Sequence, residues 1–163
     1  MKQFVYKISI DEYTDNKISD NVNFIIFDNI FVGLKNIQLL VKRYRFSFTL
    51  LKILVKLTLK RNVLVALVFE NNIVNDSLIS FGKCDYYSIE KNDSIIGPVY
   101  TSSKYRGKGF ATSGLSKCLE YLKNSQNIKF AYIDTSEDNL AMQSVIQKLH
   151  FTLCSKSYSR PQE

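Results

Sequence analysis

No Asp or Glu occurs between Asn29 and Phe69, while the same window holds Lys35, Lys42, Arg43, Arg45, Lys52, Lys56, Lys60 and Arg61. The chain has 163 residues and a formal charge of +7, so the excess sits in that window and the rest is nearly neutral. A local basic field attracts anionic partners without saying which. Cysteine is scarce. Cys84, Cys118 and Cys154 make an odd count at wide spacings, which argues against a disulfide framework and a metal knuckle. The N-terminal "MKQFVYKISIDEY" lacks the long apolar core of a signal peptide. The longest greasy stretch, Phe46 to Leu59, is broken by Lys52 and Lys56 and falls short of the roughly 20 apolar residues a spanning helix needs. These absences point to a soluble protein of a reducing cytoplasm.

The length suits one domain over residues 1–163, with a core that needs no staples. At 45% hydrophobic and 23% charged, the composition is globular, and disorder is expected only in a short tail, 155–163. "QFVYKISI" (Gln3 to Ile10) reads as a strand. Leu34 to Arg45 and Phe48 to Lys60 read as helices, the second with Lys52, Lys56 and Lys60 on one narrow stripe. Val63 to Glu70, then Asn71-Asn72, then Ile73 onward predict a hairpin. "KCDYYSIE" and "SIIGPVYT" (Ser94 to Thr101) are further strand-like runs. Phe110 to Lys123 is helical, with Leu115, Cys118, Leu119 and Leu122 on one face. Strand "IKFAYIDT", a helix from Asp138 to Leu149 and strand "FTLCSKSYS" follow. This order predicts an α/β (α+β) fold: one mixed, mostly antiparallel sheet flanked by helices.

Between the strand ending at Thr101 and the helix starting at Phe110 lies "YRGKGFATSG", with three glycines and two cations in ten residues. A helix start offers unpaired N–H groups and a positive dipole end. Glycines let those amides approach an anion, and Arg106 and Lys108 add charge. The stretch reads as a phosphate cradle, against the plainer alternative of a glycine-rich turn. A P-loop spacing is absent. A dinucleotide fingerprint would need a third glycine where Thr112 stands, and the preceding strands look antiparallel.

Arg106-Gly107-Lys108-Gly109-Phe110-Ala111 resembles the Gln/Arg-x-x-Gly-x-Gly/Ala signature of the GNAT acetyltransferase superfamily, which follows a strand, opens a helix and grips the pyrophosphate of acetyl-CoA. Downstream, "FAYIDTSEDNLAMQSVIQKLHF" places Asn139 and Phe151 where that family has an Asn near a helix start and an aromatic after the helix. The resemblance covers Ile95 to Phe151 by motif. It implies a splayed strand whose residues Val99, Tyr100 and Thr101 pair with pantetheine, helped by Pro98, which has no N–H. It implies pyrophosphate at Arg106, Gly107, Lys108, Gly109, Phe110 and Ala111, and pantetheine or thioester contact at Asn139. Acetyl-CoA would be the acetyl donor, with no metal, and the enzyme a monomer or homodimer.

One departure stands out. The tyrosine that protonates the leaving thiolate in many members is replaced here by Ile146. Tyr100, Tyr105, water or an unprotonated thiolate all remain open. Asp85 and Glu90 are candidate bases for the acceptor ammonium, or else solvated strand-end carboxylates. His150, the only histidine, sits at a helix end, where capping suits it better than catalysis. Cys84 has no sequence partner that would make it a nucleophile and reads as a small apolar residue.

The resemblance leaves the acceptor open. "IGPVYTSSKYRGKG" is similar to segments of some bacterial cell-surface polysaccharide acetyltransferases, which implies a nucleotide-linked amino-sugar precursor. A protein N-terminus is the enzymatic alternative, and an inactive module that binds CoA or a partner is the alternative of another class. Four readings fit the basic window: lysine stems covering apolar surface, attraction of an anionic acceptor, contact with an anionic membrane surface, and nucleic acid, for which no motif is present.

Overall fold

Strand β3 (Asn62–Phe69), "NVLVALVF", is buried along most of its length. Apolar side chains on both faces of a strand require cover on both faces, and the alternation decides which cover meets which residue. Val63 and Val65 pack with helix residues Leu115, Leu119 and Ile146. Leu64 and Ala66 pack with Leu40, Leu50, Ile53 and Leu57 on the opposite side. The computed structural model describes residues 1–14, 22–59, 62–125 and 127–159.

Among these the order is β1 (Lys2–Ser9), β2 (Asn23–Phe27), α1 (Ile30–Lys35), α2 (Ile37–Tyr44), α3 (Phe48–Thr58), β3, β4 (Asn72–Phe81), β5 (Asp93–Thr101), a 3-10 turn (Ser103–Tyr105), α4 (Phe110–Lys123), β6 (Phe130–Ser136), α5 (Leu140–Lys148) and β7 (Thr152–Ser159). The strands form one seven-stranded sheet in the order β2-β3-β4-β5-β6-β1-β7. Every neighbouring pair is antiparallel except β5 and β6. The mixed, mostly antiparallel sheet with flanking helices is the fold expected from the sequence. Helices α1 to α3 cover one face at the β2–β4 end, and α4 and α5 cover the other.

Several local expectations change. "KCDYYSIE" forms no strand, because the edge of β4 is already taken by β5. That segment folds over the sheet instead, and Cys84, Tyr87 and Ile89 pack against Val5, Ile95 and Tyr132. The hairpin turns one residue early, at Glu70 and Asn71, which both have positive φ (49° and 56°), so β4 starts at Asn72. Strand β2 and helix α1 are additional. They are five and six residues long, too short for a periodic signal. The last strand runs to Ser159, past the expected tail start at 155, because it pairs with β1 up to Lys2↔Ser159 and Tyr158 stacks on Tyr86. Residues 160–163 of the expected tail, and Lys60 and Arg61 of the basic window, lie outside the described residues.

Candidate active site

The glycine stretch follows β5 as expected. Gly107 and Gly109 have φ of +75° and +79°, a conformation that disfavours side chains. A Cβ placed on either would meet nothing within 4 Å, so the loop backbone faces open space. Gly109 is the residue before α4, no side chain caps the helix, and its first turn contains no acid. The helix start therefore presents free amides, with Lys108 and Arg106 beside it, as an anion needs. The loop is braced from beneath. Tyr105 is buried, its ring packs against Phe69 and Phe110, and its hydroxyl donates to Glu70 at 3.2 Å. Tyr105 thus serves packing, and the aromatic contacts hold the 3-10 turn under the cradle. The Nε of Arg106 donates to the carbonyl of Thr101 at 3.2 Å, tying loop to strand.

Strand β5 leaves its neighbour as the resemblance implies. It pairs with β6 only over Asp93–Ile95, and past that point the strands diverge around a cavity of ≈ 1060 Å³ lined by Ile95 to Val99, Ile133 to Ser136, Asn139 and Met142. On its other edge the ladder with β4 slips at Gly97-Pro98, where two residues oppose Leu78 alone. Proline has no N–H for the ladder, which explains the bulge there. Beyond it the alternation sorts the backbone. Ser102 donates to the Val74 carbonyl, so in the same register Tyr100 faces Asp76 in a hydrogen-bonded pair. The N–H and C=O of Val99 and Thr101 then point away from β4, into the divergence. Of the three expected strand contacts, Val99 and Thr101 offer backbone groups to the cleft, and those of Tyr100 are directed to β4.

The side chain of Tyr100 lies on the face roofed by α2 and α3, in a second cavity of ≈ 620 Å³. There the guanidinium of Arg43 sits 3.7 Å from the Tyr100 ring centre, and its Nε meets Asp76 at 2.5 Å. The Tyr44 hydroxyl donates to the other Asp76 oxygen at 2.9 Å. Burial raises the Asp76 pKa, opposed by Arg43 and by the Tyr44 hydrogen bond. Burial, together with the Asp76 charge, pushes the Tyr44 phenol up. Lys52 and Lys56 line this cavity too. The two cavities share Lys56, Leu78, Pro98 and Val99, and so meet at the bulge.

The remaining expected residues separate. Asp85 is exposed on the rim of the larger cavity, 3.5 Å from Lys83. Glu90 lines neither cavity; its amide donates to Asp93 in the turn before β5. Asn139 accepts from the Met142 amide as helix cap and also lines the cleft. Ile146 is fully buried. His150 is exposed, with φ +62° just past α5, and its amide donates to Gln147, which is a capping arrangement. Cys84 packs under the 83–90 segment.

Sequence reasoning missed Asp76 and Asp134. Asp134 stands on β6 across the divergence from Val99, 3.5 Å from the Tyr87 hydroxyl. The available signal for Asp76 was the polar run Asn75-Asp76-Ser77 in the middle of β4, between apolar residues Ile73-Val74 and Leu78-Ile79, all three buried. Among the described residues no group of three or more His, Cys, Asp or Glu is placed to hold a metal, and no helix is long and apolar enough to cross a membrane.

Residues 43–151 match the family model for the acetyltransferase (GNAT) family. No curated protein matches the chain in sequence. Solved structures share the fold. An acetyltransferase of the GNAT family from Colwellia psychrerythraea superposes with a TM-score of 0.65 at 14% identity, over 93% of this chain and 52% of that one. A GCN5-related N-acetyltransferase from Kribbella flavida does so with a TM-score of 0.61 at 7% identity, over 96% and 56%. AAC(6')-Iy, solved in complex with the bisubstrate analogue CoA-S-monomethyl-acetylneamine, gives 0.61 at 12% identity, over 88% and 99%. The chain spans about half the length of the first of these structures, 56% and 52% for the Kribbella and Colwellia proteins.

Proposed function

The chain belongs to the acetyltransferase (GNAT) family, and from that premise we propose that it is a cytoplasmic, acetyl-CoA-dependent N-acetyltransferase that passes the acetyl group directly to the amine of a small anionic acceptor. One juxtaposition carries the reading: an uncapped helix start behind two left-handed glycines, opening beside a strand that has left its neighbour. The pyrophosphate of acetyl-CoA lies against the amides of residues 106–111, with Arg106 and Lys108 beside it. The pantetheine arm runs along β5 and pairs with the backbone of Val99 and Thr101, and Asn139 meets it from the α5 side. The thioester then reaches the bulge, where the two cavities meet.

The acceptor enters by the α2–α3 side. At the junction of the two cavities its ammonium gives a proton to Asp85, on the rim of the larger one. The free amine attacks the thioester carbonyl carbon, and the oxyanion that forms accepts a hydrogen bond from the Val99 amide. The C–S bond breaks as the C–N bond is completed, and the sulfur leaves with the electron pair. Tyr100, the phenol on this face, gives its proton to the sulfur, in place of the tyrosine whose family position holds Ile146, and the second proton of the amine nitrogen, released as the amide forms, restores the phenol. Placing amine and thioester in adjoining cavities supplies much of the rate. Lys52 and Lys56 in the acceptor cavity favour an acceptor with a phosphate or carboxylate, as in a nucleotide-linked amino sugar. AAC(6')-Iy, on the same fold, is solved with a bisubstrate analogue that joins CoA to acetylneamine.

Calorimetric titration with CoA and with NAD, followed by acetyl transfer to a panel of amines, tests the reading. CoA binding, no NAD binding and fastest turnover of a phosphorylated amino sugar are expected. NAD binding without CoA binding overturns it, and CoA binding with no transfer to any amine makes the protein a binding module.

A further inference from the structure

Helix α3 places Leu50, Ile53 and Leu57 against the sheet. Opposite them, at helical spacing, stand Phe48, Leu51 and Val55, which are exposed. Phe46, in the turn before this helix, is 91% exposed. On α1, Gly33 is buried close to Leu54 and Leu57 of α3, while Phe31 and Leu34 remain exposed. None of these six apolar residues lines either cavity. Exposed single apolar residues are ordinary, but a cluster of this size on adjacent helices marks a contact surface.

The charge around the cluster selects its occupant. Lys35 on α1, Arg45 in the turn before α3 and Lys52 on α3 are exposed, and residues 29–69 contain no acid. A second copy meeting this face by two-fold symmetry would set like charges against each other, with no carboxylate to offset them. A bilayer surface with anionic headgroups meets both requirements. It accepts apolar side chains at the acyl boundary, it attracts the cations, and it needs no shape complementarity.

We propose that the exposed face of α1 and α3, centred on Phe46 and Phe48, docks the protein on anionic lipid surfaces. The proposed contact is peripheral; among the described residues no helix is long and apolar enough to cross a membrane. It does not depend on the catalytic reading, because the six apolar residues lie outside both cavities.

Co-sedimentation of the full chain with phosphatidylcholine vesicles, with and without phosphatidylglycerol, tests this directly. Binding is expected only with phosphatidylglycerol, weakening as salt rises. The triple variant Phe46→Ser, Phe48→Ser, Val55→Ser should bind at least about tenfold more weakly with unchanged melting temperature and CoA affinity. Sedimentation velocity without lipid covers the alternative. Equal binding by wild type and triple variant, or no vesicle binding at all, overturns the proposal. So does a dimer that the triple variant dissolves while vesicle binding is absent.

Discussion

The two halves of the proposed site are built by different means. At the start of α4 the groups offered are backbone amides, and the sequence must supply what lets amides be reached: glycines with positive φ and no capping side chain. On the α2–α3 side the groups offered are side chains, among them Arg43, Tyr44, Lys52, Lys56, Asp76 and Tyr100, drawn from four separate elements. Backbone sites impose a local pattern. Side-chain sites impose only that certain residues meet in space, which many sequences can satisfy.

The sharpest way to break this comparison is within the basic window itself, where Arg43 and Lys35 look alike in sequence. Arg43 pairs with the buried Asp76, and removing one partner of such a pair costs about 3–5 kcal/mol. Arg43→Met should lower stability by that amount in urea unfolding, while Lys35→Met leaves the midpoint unchanged. Equal effects would mean that the Arg43 pair is no more than a surface contact.

Next in size is Tyr100→Phe. A positioned acid is worth roughly 10²–10⁴ in rate. The variant should lose at least about a hundredfold in kcat, with CoA affinity intact. Full activity would assign the proton to water and leave Tyr100 as a wall of the acceptor cavity. Gly109→Ile tests the other half. With φ at +79° and open space above, the branched side chain both strains the turn and fills the anion position. CoA affinity should fall at least about tenfold, near 1.4 kcal/mol, in a protein that remains folded by circular dichroism. Unchanged affinity would remove the cradle.

Smaller effects separate the halves further. Lys52→Glu with Lys56→Glu should raise the acceptor KM by roughly tenfold at low salt, with less effect at high salt and none on CoA. A change in CoA affinity instead would merge the two cavities into one site. The smallest effect is a pH drift. Burial raises the Asp76 pKa above its ordinary 3.8, so the folded protein holds this proton more tightly than the unfolded chain. The stability this contributes is full below 3.8 and is lost as pH rises through the folded value. In acid-range melts, the wild type should therefore lose stability relative to Asp76→Asn as pH rises. A gap that moves the other way would mean that Arg43 outweighs burial.

What the sequence disclosed follows the same division. The "RGKGFA" junction and the helix from Phe110 to Lys123 were legible, because glycine and a 3.6-residue period act over a few neighbouring residues, whereas the departure of β5 near Pro98 was implied by the family resemblance. Asp85 reached the cavity rim and Glu90 did not, since the 82–92 segment folds over the sheet and no periodicity records where it lands. The stripe of Lys52 and Lys56 was visible, but its direction was not. A lysine that shields apolar surface and one that lines a cavity look identical until α3 is set against β4. Asp76 escaped notice because its partners are 32 and 33 residues away in sequence.

Hydrogen exchange of the backbone amides, measured with and without saturating CoA, is the most direct test of the central claim that one half binds by backbone and the other by side chains. Addition of CoA should slow exchange across residues 107–112 and at Val99 and Thr101, and leave residues 43–56 unchanged. Protection confined to residues 43–56, or no protection at the start of α4, would contradict the account.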